Sequence, residues 1–165
     1  MYRVGIGKAS ASVASGRNLL LGGVDIASEY GLVGPRDGDI ISLAVADSLM
    51  GCANFGGIDD MFPQSETEFA GVHSFELLTA VFVRIANLGY RVGNVDILLN
   101  LPIDVASYIT EICTKLSIIL ETNRINIKLN SSDDAQCTAI CLCDQNLLTK
   151  RNREVLARNN PTGGF

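Results

Sequence analysis

The chain has 165 residues, about the length of one domain, and 47% of them are apolar, enough for a core of its own. The net charge is −5, yet from Thr149 onward four basic residues face one acid, so the remainder carries −8. So acidic a body argues against a broad nucleic-acid surface, and its short, broken apolar runs against a membrane-spanning segment.

Arg3 to Gly7 reads as a first strand, with no targeting segment before it. Ala9 to Arg17 is small, polar and loop-like. Leu19 to Ile26, interrupted by Gly22-Gly23, predicts a hairpin, and Gly31 to Gly38 a turn-rich loop. Asp39 is placed to cap a helix reaching about Met50, on the helical spacing of Ile40, Leu43, Ala44 and Val45. Cys52 to Ala70 reads as irregular. Ser74 caps a second predicted helix with Phe75, Leu78, Phe82, Ile85 and Leu88 on one face, stopped by Gly89. Val95 to Leu99 reads as a buried strand. Pro102 suits the first turn of a third helix with Val105, Ile109, Ile112 and Leu116 as its stripe. Ile125 to Leu129 and Cys137 to Cys143 complete the strands. The expected fold is α/β: a mixed sheet with helices on one face, in a domain of residues 1–148, followed by a basic, flexible tail over 149–165.

Five cysteines, an odd number, predict free thiols in a reducing, cytoplasmic setting. Cys137, Cys141 and Cys143 share one strand face, as buried core thiols would. Gly5-Ile6-Gly7 lacks the third glycine of a dinucleotide loop. His73 is the single histidine, so no site with several histidines exists; it suits a capping or solvent-facing place. Asp37-Gly38-Asp39 reads as a turn with an N-cap, or as two carboxylates able to take a cation or a hydroxylated ligand. Asn130-Ser131-Ser132-Asp133-Asp134 follows a strand, where hydroxyls and amides can hold phosphate oxygens.

In this order and spacing, several segments carry a resemblance. They are Arg3-Val4-Gly5-Ile6-Gly7, Leu20-Leu21-Gly22-Gly23-Val24, Asp37-Gly38-Asp39, Asp47-Ser48-Leu49-Met50-Gly51, Met61-Phe62-Pro63, His73-Ser74 and Leu88-Gly89-Tyr90-Arg91-Val92-Gly93-Asn94-Val95-Asp96. The chain resembles the 2-C-methyl-D-erythritol 2,4-cyclodiphosphate synthases of isoprenoid (terpenoid) biosynthesis, from Arg3 to about Leu148. The resemblance implies a homotrimer with sites between subunits and an apolar cavity on the threefold axis. It implies a lyase-like reaction in which a cytidine diphosphate derivative cyclises and releases CMP, with zinc and a second divalent ion neutralising phosphate charge.

The departures fall on the chemistry. The family's Gly-Phe-Asp-Val-His is Gly7-Lys8-Ala9-Ser10-Ala11 here, and its histidine on the following helix is Leu43, so the three positions that hold zinc are Ala9, Ala11 and Leu43. His-Ser before Asp-Gly-Asp is Pro35-Arg36, the ribose-binding Asp is Gly57, and a cavity Glu aligns with Leu142. The expectation is therefore no cofactor, with zinc absent, and no metal ligands. Candidate acid–base groups are Asp37, Asp39 and Asp133; candidate ligand-binding residues are Lys8, Arg36, Ser131, Ser132 and Leu142. If Lys8 and Arg36 both face the old pocket, two fixed cations replace a dication. The expected function is a repurposed, metal-independent trimer binding or transforming an anionic or isoprenoid-like small molecule, with neither nucleic acid nor membrane as partner. The alternatives are an inactive scaffold or regulatory pseudoenzyme, and a retained synthase.

Overall fold

The computed structural model describes residues 1–63, 65–66, 69 and 71–145. The chain alternates strands and helices: β1 (Tyr2–Ser15), β2 (Leu19–Leu21), β3 (Val24–Ile26), β4 (Tyr30–Val33), α1 (Ile40–Ala53), α2 (Ile58–Met61), α3 (Ser74–Asn87), β5 (Tyr90–Leu101), α4 (Ile109–Leu120), β6 (Ile125–Ser131) and β7 (Ala135–Gln145). Five strands form one sheet in the order β4-β1-β7-β5-β6, and β2 and β3 pair separately as the hairpin. Only β5 and β6 run parallel, joined by the α4 crossover; the other pairs are antiparallel. The expected mixed sheet with helices on one face is the fold found.

Alternation decides which face is covered. Val95, Ile97 and Leu99 of β5 and Cys137, Ala139, Cys141 and Cys143 of β7 point inward and are buried. Gly5 and Gly7 of β1 lie in the same layer, paired with Cys141 and Ala139. Helix α1 crosses this layer. Apolar on nearly every side, it is buried between the sheet and α3, as an all-round apolar helix must be. The glycines permit the approach. A Cβ at Gly5 would lie 1.9 Å from the Ser48 carbonyl oxygen, and one at Gly7 2.1 Å from that of Ala44.

The strand β1 is far longer than the expected Arg3–Gly7, running on through the small, polar stretch to Ser15. Part of the expected loop at 31–38 is β4, which pairs with that extension. A single helical turn, α2, occupies part of the segment expected to be irregular. The third long helix starts at Ile109 rather than Pro102: β5 continues to Leu101, and a short 3-10 turn over Ala106–Tyr108 follows. Asp104 Oδ1 accepts the Ala106 N–H (3.0 Å), so an aspartate turn rather than the proline leads into the helix. The expected tail at 149–165 lies outside the described residues.

Candidate functional site

The first pocket lies where β1, the start of α1 and α2 meet. It measures about 320 Å³, and its walls include Lys8, Arg36, Leu43, Asp47, Asp59 and Asp60. Arg36 and the Lys8 stretch of β1 thus border one cavity, but Lys8 has the strand parity of Val4 and Ile6, so its side chain leaves from the opposite, uncovered sheet face and the expected pair of cations is not formed there. Arg36, held in a left-handed conformation (φ 57°), donates through its guanidinium to the carbonyls of Phe62 (2.7 Å) and Phe69 (2.9 Å). It ties Phe62 and Phe69 to the loop beside the pocket.

Asp47 was missed by sequence reasoning. It sits one helical turn beyond Leu43 on α1, and the only signal was a lone acid at i+4 in an otherwise apolar helix. Its Oδ1 accepts the Ile58 N–H (3.2 Å), and its carboxylate also accepts the Lys8 backbone N–H. Burial pushes its carboxyl up, the two amides pull against that, and the charges of Asp59 and Asp60 add to the rise. Asp60 Oδ2 accepts the Gly57 N–H (2.8 Å) at the start of α2. Arg36 can therefore meet a negative group here, and the carboxylates can accept hydrogen bonds from hydroxyls.

Asp37 and Asp39 lie beside this pocket in different roles. Asp39 is 1% exposed and accepts four hydrogen bonds: from Gly22 N (2.8 Å), Gly23 N (2.7 Å), Ser42 N (3.0 Å) and Ser42 Oγ (2.6 Å). It caps α1 and ties the hairpin turn to it. Asp37 accepts from the Ser74 hydroxyl, Ser74 N (3.0 Å), Asp39 N (3.3 Å) and His73 Nδ1 (3.0 Å). Burial alone would raise its carboxyl, but these donors, led by the Ser74 hydroxyl, hold it below its ordinary range.

The remaining candidates are elsewhere. Ser131 lines a second cavity, of about 260 Å³, together with Pro102, Ile103, Asp104 and Asn130. Ser132 Oγ accepts the Asp134 N–H (3.2 Å) in the turn beyond β6, and Asp133 is exposed in the same turn. Leu142 lies on the uncovered sheet face, between Val4 of β1 and Asn94 of β5. Within one chain, these residues lie apart from the cavity that Arg36 and Asp47 line.

The profile of the YgbB family matches residues 2–141. The chain belongs to the YgbB family. Among its YgbB-family relatives, the 2-C-methyl-D-erythritol 2,4-cyclodiphosphate synthase of Clostridium acetobutylicum is 36% identical over 135 residues, covering 79% of this chain and 86% of that protein. The synthase of Clostridioides difficile is 33% identical over 163 residues, covering 91% and 99%. In fold, a solved 2C-methyl-D-erythritol-2,4-cyclodiphosphate synthase superposes with a TM-score of 0.79 at 23% identity, over 87% of this chain and all of that one.

Membership corrects one expectation. The relatives are synthases of a family that uses zinc, so the expected absence of a cofactor does not stand, and zinc is the ion that the YgbB family implies. The positions carried over by resemblance do not themselves fit it: Ala9, Ala11 and Leu43 have no donor atoms. The donors that this pocket does present are the carboxylates of Asp47, Asp59 and Asp60.

Proposed function

We propose that this YgbB-family protein binds a small phosphorylated, hydroxylated molecule in the pocket of Arg36 and Asp47, and serves isoprenoid biosynthesis in the cytoplasm. One observation carries it: an arginine and three carboxylates line one cavity of metabolite size, in a chain homologous to cyclodiphosphate synthases along most of its length. Arg36 takes the phosphate charge. Asp47, its carboxyl raised by burial, is the acid–base group that receives a hydroxyl proton. Asp37 and Asp39 hold the loop between β4 and α1 that forms the floor. Ser131, Ser132 and Asp133 complete the site from a neighbouring copy in a homotrimer, and Leu142 faces the apolar axis.

A second reading, retained cyclodiphosphate synthesis, is favoured by the 33% identity over 163 residues. One experiment separates the two. The purified protein is given the cytidine diphosphate derivative of methylerythritol phosphate, with and without added zinc, and binding and CMP release are followed. Saturable binding that weakens about tenfold or more in Arg36→Met supports the first reading. CMP release that depends on Asp47 establishes the second. Binding unchanged in Arg36→Met, with no CMP, overturns both.

A further inference from the structure

A different pocket, of about 460 Å³, opens on the other side of Arg36. Its polar lining is Arg17, Asn18, Arg36, Asp37 and His73, above an apolar floor that includes Leu32. It is well constructed. Gly16 turns the chain after β1 (φ 68°), and its N–H donates to Glu29 O (3.1 Å). The Arg17–Asn18 turn then settles onto β4 because position 31 has no side chain: a Cβ on Gly31 would lie 2.4 Å from the Arg17 carbonyl oxygen and 2.3 Å from that of Asn18. The backbone that presents Arg17 to the cavity is thus fixed by close packing.

The charges in this cavity are unbalanced. Among the described residues, neither Arg17 nor Arg36 forms an ion pair. Asp37 sets one negative charge against the two arginines, and both of its oxygens already accept hydrogen bonds from the backbone and side chains of 39, 73 and 74. An ionised carboxylate only accepts, so the 3.0 Å contact requires the proton of His73 on Nδ1, and Nε2 of the neutral ring is an acceptor. Arg36 spends two of its five N–H donors on carbonyls. Two arginines and Asn18 therefore supply donors around one concave space, against the single carboxylate of Asp37, in an otherwise acidic protein.

We propose that this pocket is an oxyanion site for a small phosphate monoester. Several donors from different directions suit a tetrahedral group with three acceptor oxygens better than a planar carboxylate with two. The volume exceeds what the phosphoryl group fills and leaves room for a short carbon chain over Leu32. The site goes beyond the proposed function: it is centred on Arg17 and uses none of the carboxylates of Asp47, Asp59 and Asp60.

Calorimetric titration of the full chain with glycerol phosphate, and with glycerol as the uncharged control, tests this. The expected result is saturable binding of the phosphate only, weakened about tenfold or more in Arg17→Met and unchanged in Asp47→Asn. Arg17 is exposed, so its truncation leaves the fold intact. Amide resonances of residues 16–18 and 73 shift on titration, which places the ligand. Three results overturn the proposal: no binding tighter than about 10 mM, equal affinity in Arg17→Met, or an affinity changed in Asp47→Asn but not in Arg17→Met. The last would assign the phosphate to the first pocket.

Discussion

Asp37 and Asp39 stand one glycine apart, and their surroundings pull their carboxyl groups in opposite directions. Gly38, at φ 78°, turns one inward under the hairpin and leaves the other at the rim. Asp39→Ala would strand the N–H groups of Gly22 and Gly23 and the start of α1, so a loss of more than about 3 kcal/mol is expected in urea unfolding. Asp37 works through pH. Its folded value lies below 3.8, so its contribution to stability is complete above that value and is lost as pH falls through the lowered one. The stability gap between the protein and Asp37→Asn should therefore be wide at neutral pH and shrink in acid. Denaturant midpoints across that range check it; a constant gap refutes it. The capping role of Asp39 was legible in the sequence, because a cap is local. Its bonds to Gly22 and Gly23 were not, because they span the loop closed by β3 and β4.

Among the elements, β1 and α1 depend on each other most closely. Their contact is backbone against backbone, so adding one methyl is more damaging than removing a large side chain. Gly5→Ala and Gly7→Ala are each expected to cost more than about 3 kcal/mol or to prevent folding, because helix carbonyls have no room to move. Circular dichroism with thermal melting reads this directly. The helices were legible because their apolar stripes repeat over three turns or more. The second half of β1 was not. Its inward residues, Ala9, Ala11 and Val13, are small, and its outward ones are polar, so Lys8 to Ser15 shows none of the strong alternation that marks a strand. Candidate site residues next to that stretch were identified only through the family resemblance, and Asp47 escaped because it resembled one more polar position on a helix.

At the level of the whole molecule, the sheet has one face without a helix. On it, Val4 (66% exposed) pairs with Leu142, and Ile6 (65%) pairs with Ile140 (44%). Toward β5 and β6 the same face turns polar, with Asp96 bonded to Asn126 and to Lys128 (2.6 Å). The proposed homotrimer would bury the apolar part. Ile6→Asp should then sediment as a monomer and lose ligand binding in the Asp47 pocket together with assembly. A variant that stays trimeric would place the interface elsewhere. No helix among the described residues is long and apolar enough to cross a membrane.

The sulfur atoms under that sheet have a practical consequence. Cys52, Cys137, Cys141 and Cys143 are buried and Cys113 is half-buried; burial pushes the Cys141 thiol up to about 12. Four of the five thiols therefore stay silent toward an alkylating reagent until the sheet and α1 separate. Counting maleimide adducts by mass spectrometry becomes a built-in gauge of opening, in which one label means the native state and five mean that the layer has come apart.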